Sequence, residues 1–175
     1  MLVGIDASRA VTDRPTGTET YSQRLIQALL QLDSDHVFRL YFRSAPSPAR
    51  FEGAEFCVIP FPRLWTHLRL SSEMALKPPD LLFVPSHVVP LIHPVHTIVT
   101  IHDLGYLHFP SAHPWPQRIY LDLSTRWSTR AASQVLADSA ATKANLVRHY
   151  GTDPEKITVA HPGIDESLGP VKDHS

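Results

Sequence analysis

Several short stretches of this chain carry residue types that can do chemistry. Thr16-Gly17-Thr18 opens a run with helical apolar spacing. Backbone N–H groups exposed at a helix start suit an anion such as a diphosphate. The plainer reading is a helix cap, with Thr18 as the capping hydroxyl. His102-Asp103 follows the apolar run Thr97-Ile-Val-Thr-Ile101 directly. An imidazole there can donate to a sugar hydroxyl or move a proton. The plainer reading is a strand-end histidine satisfied by backbone. Pro85-Ser86-His87, Asp138-Ser139 and His161-Pro-Gly163 each end a further apolar run.

Other candidates weigh less. Six histidines fall between His87 and His113, namely His87, His93, His96, His102, His108 and His113. Strand alternation sends neighbours to opposite faces, and no carboxylate or Cys has zinc-like spacing. No metal site is expected. Asp33-Ser34-Asp35 has D-x-D spacing, but it follows a helical run and reads as a solvated turn. Arg63-Leu-Trp-Thr-His-Leu-Arg69 mixes bases with large apolar groups. That mixture could touch a lipid surface. With no polybasic run, a buried amphipathic helix is the favoured reading. The G-x-G-x-x-G and G-x-x-x-x-G-K-[ST] loops are absent, which argues against a nicotinamide dehydrogenase or a P-loop NTPase. Ser86 and Ser139 lack a G-x-S-x-G elbow, so an α/β hydrolase has no support.

These residues sit at the ends of alternating strands and helices. Strands are expected at Leu2–Asp6, Val37–Phe42, Phe56–Ile59, Leu81–Val84, Val95–Ile101, Gln134–Ala137 and Ile157–Ala160. The runs at Leu81–Val84 and Val95–Ile101 do not alternate in polarity, as expected of strands buried on both faces. Helices are expected at Glu19–Leu32, Arg63–Leu76, Trp115–Ala131 and Ser139–Tyr150, with Gly151 as the last one's stop. Tyr21, Leu25, Ala28, Leu29 and Leu32 share one face of the first. Trp115, Ile119, Leu123, Trp127 and Ala131 are in register on the longest, and Ala140, Ala144, Val147 and Tyr150 point inward on the last. Asp153-Pro154-Glu155 reads as a capped single turn. The pattern is that of an α/β, doubly wound, mostly parallel Rossmann-like sheet of about seven strands with helices on both faces. In such sheets ligands bind past the carboxyl ends of the strands.

Composition agrees. The chain has 175 residues, 43% hydrophobic and 19% charged, as a folded domain requires. Lys plus Arg number 16 against 17 Asp plus Glu, so no basic field invites nucleic acid. Cys57 is the single cysteine, which excludes an intrachain disulfide. The start, Met1-Leu-Val-Gly-Ile-Asp6, is strand-like and lacks signal-peptide shape. The run from Val88 to Ile101 is broken by Pro90, His93, Pro94 and His96, so no membrane span is expected. A cytoplasmic domain over residues 1–165 follows, with a loose polar tail over 166–175.

Four stretches, in order, resemble the N-terminal half of family-4 (group 1) retaining glycosyltransferases of the GT-B fold. Pro15-Thr-Gly-Thr-Glu-Thr-Tyr21 is similar to the family's glycine loop and first helix. Val99-Thr-Ile-His-Asp-Leu104 is similar to its T-x-H-D strand end. Leu136-Ala-Asp-Ser139 resembles the start of its V-S-x-x-S/T helix. Pro154-Glu-Lys-Ile-Thr-Val-Ala-His-Pro-Gly-Ile-Asp165 resembles the segment that closes the first domain. Thr16 replaces the first of the usual paired glycines, and Pro162 replaces the usual Asn.

The resemblance implies the acceptor-binding half of a nucleotide-sugar-dependent transferase of hexosyl groups. Gly17 and Thr18 would approach the donor diphosphate or the acceptor. His102 would contact the transferred sugar, Asp103 would hold its loop, and Ser139 would line the cleft. No cofactor is implied beyond the nucleotide sugar as donor substrate, and the acceptor would be a saccharide or a lipid-linked group. The family's C-terminal domain, with its diphosphate-binding bases and Glu-x7-Glu motif, has no counterpart here, so the chain alone would be inactive. Half an enzyme predicts a poorly covered apolar surface where the partner domain packs. A free-standing, non-catalytic α/β binding domain predicts a polar one.

Overall fold

The computed structural model describes residues 1–12, 16–61, 64–86 and 88–163. Asp13, Arg14, Pro15, Pro62, Arg63, His87 and residues 164–175 lie outside the described residues. So do the expectations placed on them, including Arg63 as a helix start, His87 in the histidine group and the tail over 166–175.

All seven strands form one parallel sheet. They are β1 (Leu2–Asp6), β2 (Val37–Phe42), β3 (Glu55–Val58), β4 (Leu81–Val84), β5 (Thr97–Ile101), β6 (Gln134–Ala137) and β7 (Ile157–Val159). The order is β3-β2-β1-β4-β5-β6-β7, so the winding reverses between β1 and β4. Crevices for ligands form at that reversal, past the carboxyl ends. The expected doubly wound sheet is therefore present, with all six pairings between neighbouring strands parallel.

The helices are α1 (Gly17–Leu30), α2 (Ser71–Leu76), α3 (Gly105–His108), α4 (Trp115–Ala131) and α5 (Ala140–Tyr150). A π-helical segment, Trp65–Leu70, runs directly into α2, where the sequence suggests one continuous helix. Trp65 anchors it, fully buried, with Nε1 donating to the Ile59 carbonyl at 2.8 Å. The short α3 has too few residues for a periodic signal.

The two sheet faces are covered unequally. One core joins Tyr41, Leu82, Val84, Val99, Ile101 and Val135 of the sheet to Trp65, Leu70, Met74, Tyr106, Leu146 and Tyr150. The other joins Val3, Ile5, Leu40, Phe42 and Phe83 to Ile26 of α1. Among the described residues, α1 is the one α-helix that contributes to this second core. Beside α1, the half-buried Phe38, Leu81, Ile98 and Leu136 line an open groove of about 1220 Å³.

On α1 the fully buried residues are Ser22 and Ile26. Tyr21, Leu25, Ala28, Leu29 and Leu32 share one face, as their spacing predicts, and line the groove. Two helices bury hydroxyls that periodicity does not anticipate. On α5 the inward stripe is Thr142, Leu146 and Tyr150, while Ala140 and Ala144 are exposed. Thr142 can turn inward because its hydroxyl donates to the His102 carbonyl at 3.1 Å. On α4 the buried residues are Ser124, Thr125, Ser128 and Thr129, and the register of Trp115, Ile119, Leu123 and Trp127 faces out. Those hydroxyls have inward partners: Ser128 accepts the Val89 N–H, and Thr125 accepts from the Tyr106 hydroxyl.

Candidate active site at the carboxyl ends of the strands

The first loop delivers the α1 N-terminus to the sheet's carboxyl edge. Thr16 is the cap residue, not Thr18. The Glu19 carboxylate returns to the Thr16 N–H at 2.8 Å and also pairs with the Thr16 hydroxyl. These bonds hold Glu19 below the usual carboxylate range. Thr18 is instead the second residue of the helix, and its carbonyl accepts from the Ser22 hydroxyl. Gly17 is the first helical residue and is exposed. It does not have positive φ, and a β-carbon built on it meets no heavy atom within 4 Å. Neither backbone conformation nor the chain's own packing requires a glycine there.

His102 follows β5 and is held from three sides. Its Nδ1 lies 2.6 Å from Asp138 Oδ2, past the end of β6, and the pair is largely shielded from water. Its Nε2 lies 3.0 Å from the Pro85 carbonyl, past the end of β4. Both contacts are hydrogen bonds together only if the histidine–carboxylate pair carries one proton more than a neutral ring beside an ionised Asp138. Tyr21 of α1 packs edge-on to the ring, with centroids 4.7 Å apart. Burial pushes the Tyr21 phenol up from its ordinary value.

The adjacent Asp103 is not the partner that holds His102. Its carboxylate accepts the Gly105 N–H at 2.7 Å and closes a turn onto α3. Asp103 was expected to hold its loop, and its bond to Gly105 ties that loop down; the carboxylate that holds the His102 ring is Asp138. Asp138 is the carboxylate that sequence reasoning passed over in favour of Ser139. The available signal was that both His102 and Asp138 directly follow buried strands. Asp138 Oδ1 is buried with no hydrogen-bond partner among the described residues. Ser139 caps α5, its hydroxyl accepting the Thr142 N–H at 3.1 Å. From the end of β7, His161 Nδ1 meets the Asp138 carbonyl at 3.1 Å.

The structure thus brings His102, Asp138, Tyr21 and His161 together. Gly17, Tyr21 and His161 also border the head of the apolar groove. Asp33 and Ser34 sit at the groove's far end. The 14 residues of α1 place that turn roughly 20 Å from Gly17, so the D-x-D spacing takes no part in this site. Among the described residues, no group of three or more His, Cys, Asp or Glu side chains is arranged to hold a metal. None of their helices is long and apolar enough to cross a membrane.

Residues 15–168 match the model of the family described as Glycosyltransferase Family 4. The chain belongs to this family. A D-inositol 3-phosphate glycosyltransferase of Streptomyces scabiei is 32% identical over 77 residues, which are 44% of this chain and 16% of that protein. The O-antigen chain mannosyltransferase RfbU of Salmonella typhimurium is 25% identical over 103 residues, 59% of this chain and 28% of that protein. Among solved structures, WaaG, a glycosyltransferase involved in lipopolysaccharide biosynthesis, superposes with a TM-score of 0.63 at 15% identity. That superposition covers 95% of this chain and 46% of WaaG. The chain therefore spans less than half the length of the proteins it matches. Its fold is that of the N-terminal Rossmann-like domain of a GT-B glycosyltransferase.

Proposed function

We propose that this chain is the acceptor-side half of a cytoplasmic, nucleotide-sugar-dependent retaining glycosyltransferase that moves a hexosyl group. In this reading the chain alone is inactive, and a C-terminal domain supplies the groups that stabilise the leaving diphosphate. The observation that carries it is the apolar groove beside α1. It is headed by Gly17 and Tyr21 and floored by Phe38, Leu81, Phe83, Ile98 and Leu136. A contiguous apolar groove rimmed by polar residues marks a place where a ligand or another protein surface docks. The helix that borders it turns five apolar or aromatic side chains toward it. Such a groove supports the reading of half an enzyme, which expects an apolar face where its second domain packs.

At the head of the groove, Gly17 and Thr18 offer backbone N–H groups to the diphosphate or the acceptor. With no side chain at Gly17, an oxygen can come within hydrogen-bond distance of that backbone. His102 meets the transferred sugar, whose hydroxyl takes the place of the Pro85 carbonyl at Nε2. Asp138 positions the ring and stabilises charge on it. Asp103 and Ser139 hold their turns at the rim. Retention needs no protein nucleophile when the leaving phosphate and the acceptor hydroxyl meet on one face of the sugar. Preorganised donors around the leaving group then carry most of the barrier reduction.

The test pairs two measurements. The native polypeptide should run at roughly twice the mass of this chain, as a two-domain protein requires. It should release nucleoside diphosphate from one of a panel of nucleotide sugars, while the 175-residue chain alone should not. A native band at 19.6 kDa would sink the single-chain enzyme reading.

A further inference from the structure

His161 stands just past the carboxyl end of β7 and has no part in the transfer steps above. Its backbone is fixed from both sides. The Ala160 N–H donates to the Ala137 carbonyl at 2.9 Å, which carries the β6–β7 ladder one residue past the strand. Pro162 follows, and a residue before proline is held in extended backbone. Asp138 then orients the ring, whose Nδ1 lies 3.1 Å from the Asp138 carbonyl oxygen. A carbonyl only accepts, so Nδ1 carries the proton. In the neutral ring that leaves Nε2 a lone pair and no proton. Nε2 makes no hydrogen bond among the described residues, and the residue is exposed where it borders the head of the groove with Gly17 and Tyr21.

We propose that His161 is a further substrate-binding residue, whose Nε2 accepts a hydrogen bond from a hydroxyl of the hexosyl unit being transferred. This rests on the transferase reading and adds a residue to the same site.

The protonation of the ring selects the chemical group. An ionised diphosphate has no proton to give to a lone pair, so the leaving group is not the partner. A sugar hydroxyl has one. Position then selects the sugar. The sheet order is β5-β6-β7, and His102, Asp138 and His161 follow those three strands. His102 bonds to the Asp138 carboxylate, and His161 bonds to the Asp138 main-chain carbonyl. The imidazole that meets the transferred sugar and the imidazole of β7 are thus anchored on one residue, from either side of it. Their duties differ. Both ring nitrogens of His102 meet protein oxygens, whereas His161 engages the protein through Nδ1 alone. The Nδ1 bond does more than hold the ring, because it decides that a lone pair and not a proton is offered at Nε2.

The experiment uses the complete protein, the nucleotide sugar it turns over, and monodeoxy analogues of that donor's hexosyl unit. His161→Asn keeps an amide N–H where Nδ1 lies, so the Asp138 carbonyl retains its donor, and removes Nε2. His161→Gln puts an amide oxygen where Nε2 lies. His161→Asn should lower kcat/KM about tenfold, and His161→Gln should recover most of that loss. One monodeoxy donor should be about tenfold poorer than its parent with the wild type and no poorer with His161→Asn, because a hydroxyl and its partner count once. Far-UV circular dichroism checks that each variant is folded. Wild-type kcat/KM in His161→Asn would overturn the inference. So would monodeoxy penalties that are the same in His161→Asn as in the wild type, which would leave His161 a structural role only. A complete protein that transfers from no nucleotide sugar would overturn the transferase reading, and this inference with it.

Discussion

Replacing Gly17 by alanine separates the two reasons a glycine can stand at a helix start. In the chain by itself a β-carbon at this position has open space, and the backbone is not left-handed. Alanine therefore adds no strain to the folded state. It narrows the unfolded ensemble and favours the helix, together worth about 0.4–1 kcal/mol. For a domain of this size that raises Tm by roughly 1–4 °C. The account of the site predicts the opposite for catalysis. If a phosphate or hydroxyl oxygen sits within hydrogen-bond distance of the Gly17 or Thr18 N–H, a methyl group holds it off. Losing a charge-assisted bond costs about 1.5–3 kcal/mol, or roughly tenfold to a hundredfold in kcat/KM. Thermal unfolding and donor-dependent transfer by the complete protein read the two effects separately. A variant as active as the wild type would refute close approach at Gly17. A clearly lowered Tm would refute the reading of its packing.

Further substitutions test the rest of the structure. Asp138→Asn should cost about 1.5–3 kcal/mol of stability through its bond to His102 and lower transfer markedly. Asp103→Asn, which touches the Gly105 turn, should cost under about 1 kcal/mol; chemical denaturation with parallel rate measurements decides whether the two differ in this order. Asp6 is buried, and desolvation raises its carboxyl above the ordinary value, with Ser8, Arg43 and Arg9 offsetting only part. The folded state then binds more protons than the unfolded state between the two pKa values, so this group's effect on stability turns unfavourable as pH rises through that window. Asp6→Asn should raise Tm at neutral pH and lose that advantage below about pH 4, near the unfolded carboxyl's pKa; a variant less stable at neutral pH would show that the arginines dominate. Gly4→Ala should destabilise by roughly 1–3 kcal/mol, because its β-carbon would meet Pro79 Cγ at 2.7 Å and Tyr41 Cε2 at 2.9 Å; an unchanged denaturation midpoint would contradict that packing.

Much of the fold is legible in the chain because a parallel sheet buries both faces of its strands. Leu2–Asp6, Val37–Phe42, Leu81–Val84 and Gln134–Ala137 are apolar runs with clean ends, and the structure gives them those bounds. Helix faces are less legible. Thr142 and Ser128 point inward because partners from distant loops satisfy their hydroxyls, and no periodicity rule anticipates those partners. The outward stripe of α4 misleads for the complementary reason: it is periodic and apolar, but the core is on its other side. Strand-end placement points to His102, Ser139 and the Gly17 loop, and the structure sets all three at the carboxyl edge of the sheet. The pairing of His102 with Asp138 joins residues 36 apart in sequence. It depends on β5 and β6 lying side by side, a fact of sheet order that no local motif encodes.

The most direct measurement of the central claim is sugar transfer by the complete protein, wild type against His102→Ala, with the product anomer read by NMR. The account predicts nucleotide-sugar-dependent transfer with the donor's anomeric configuration kept, and a folded His102→Ala protein slower by about a hundredfold. Transfer at the wild-type rate without the imidazole, or an inverted product, would contradict it.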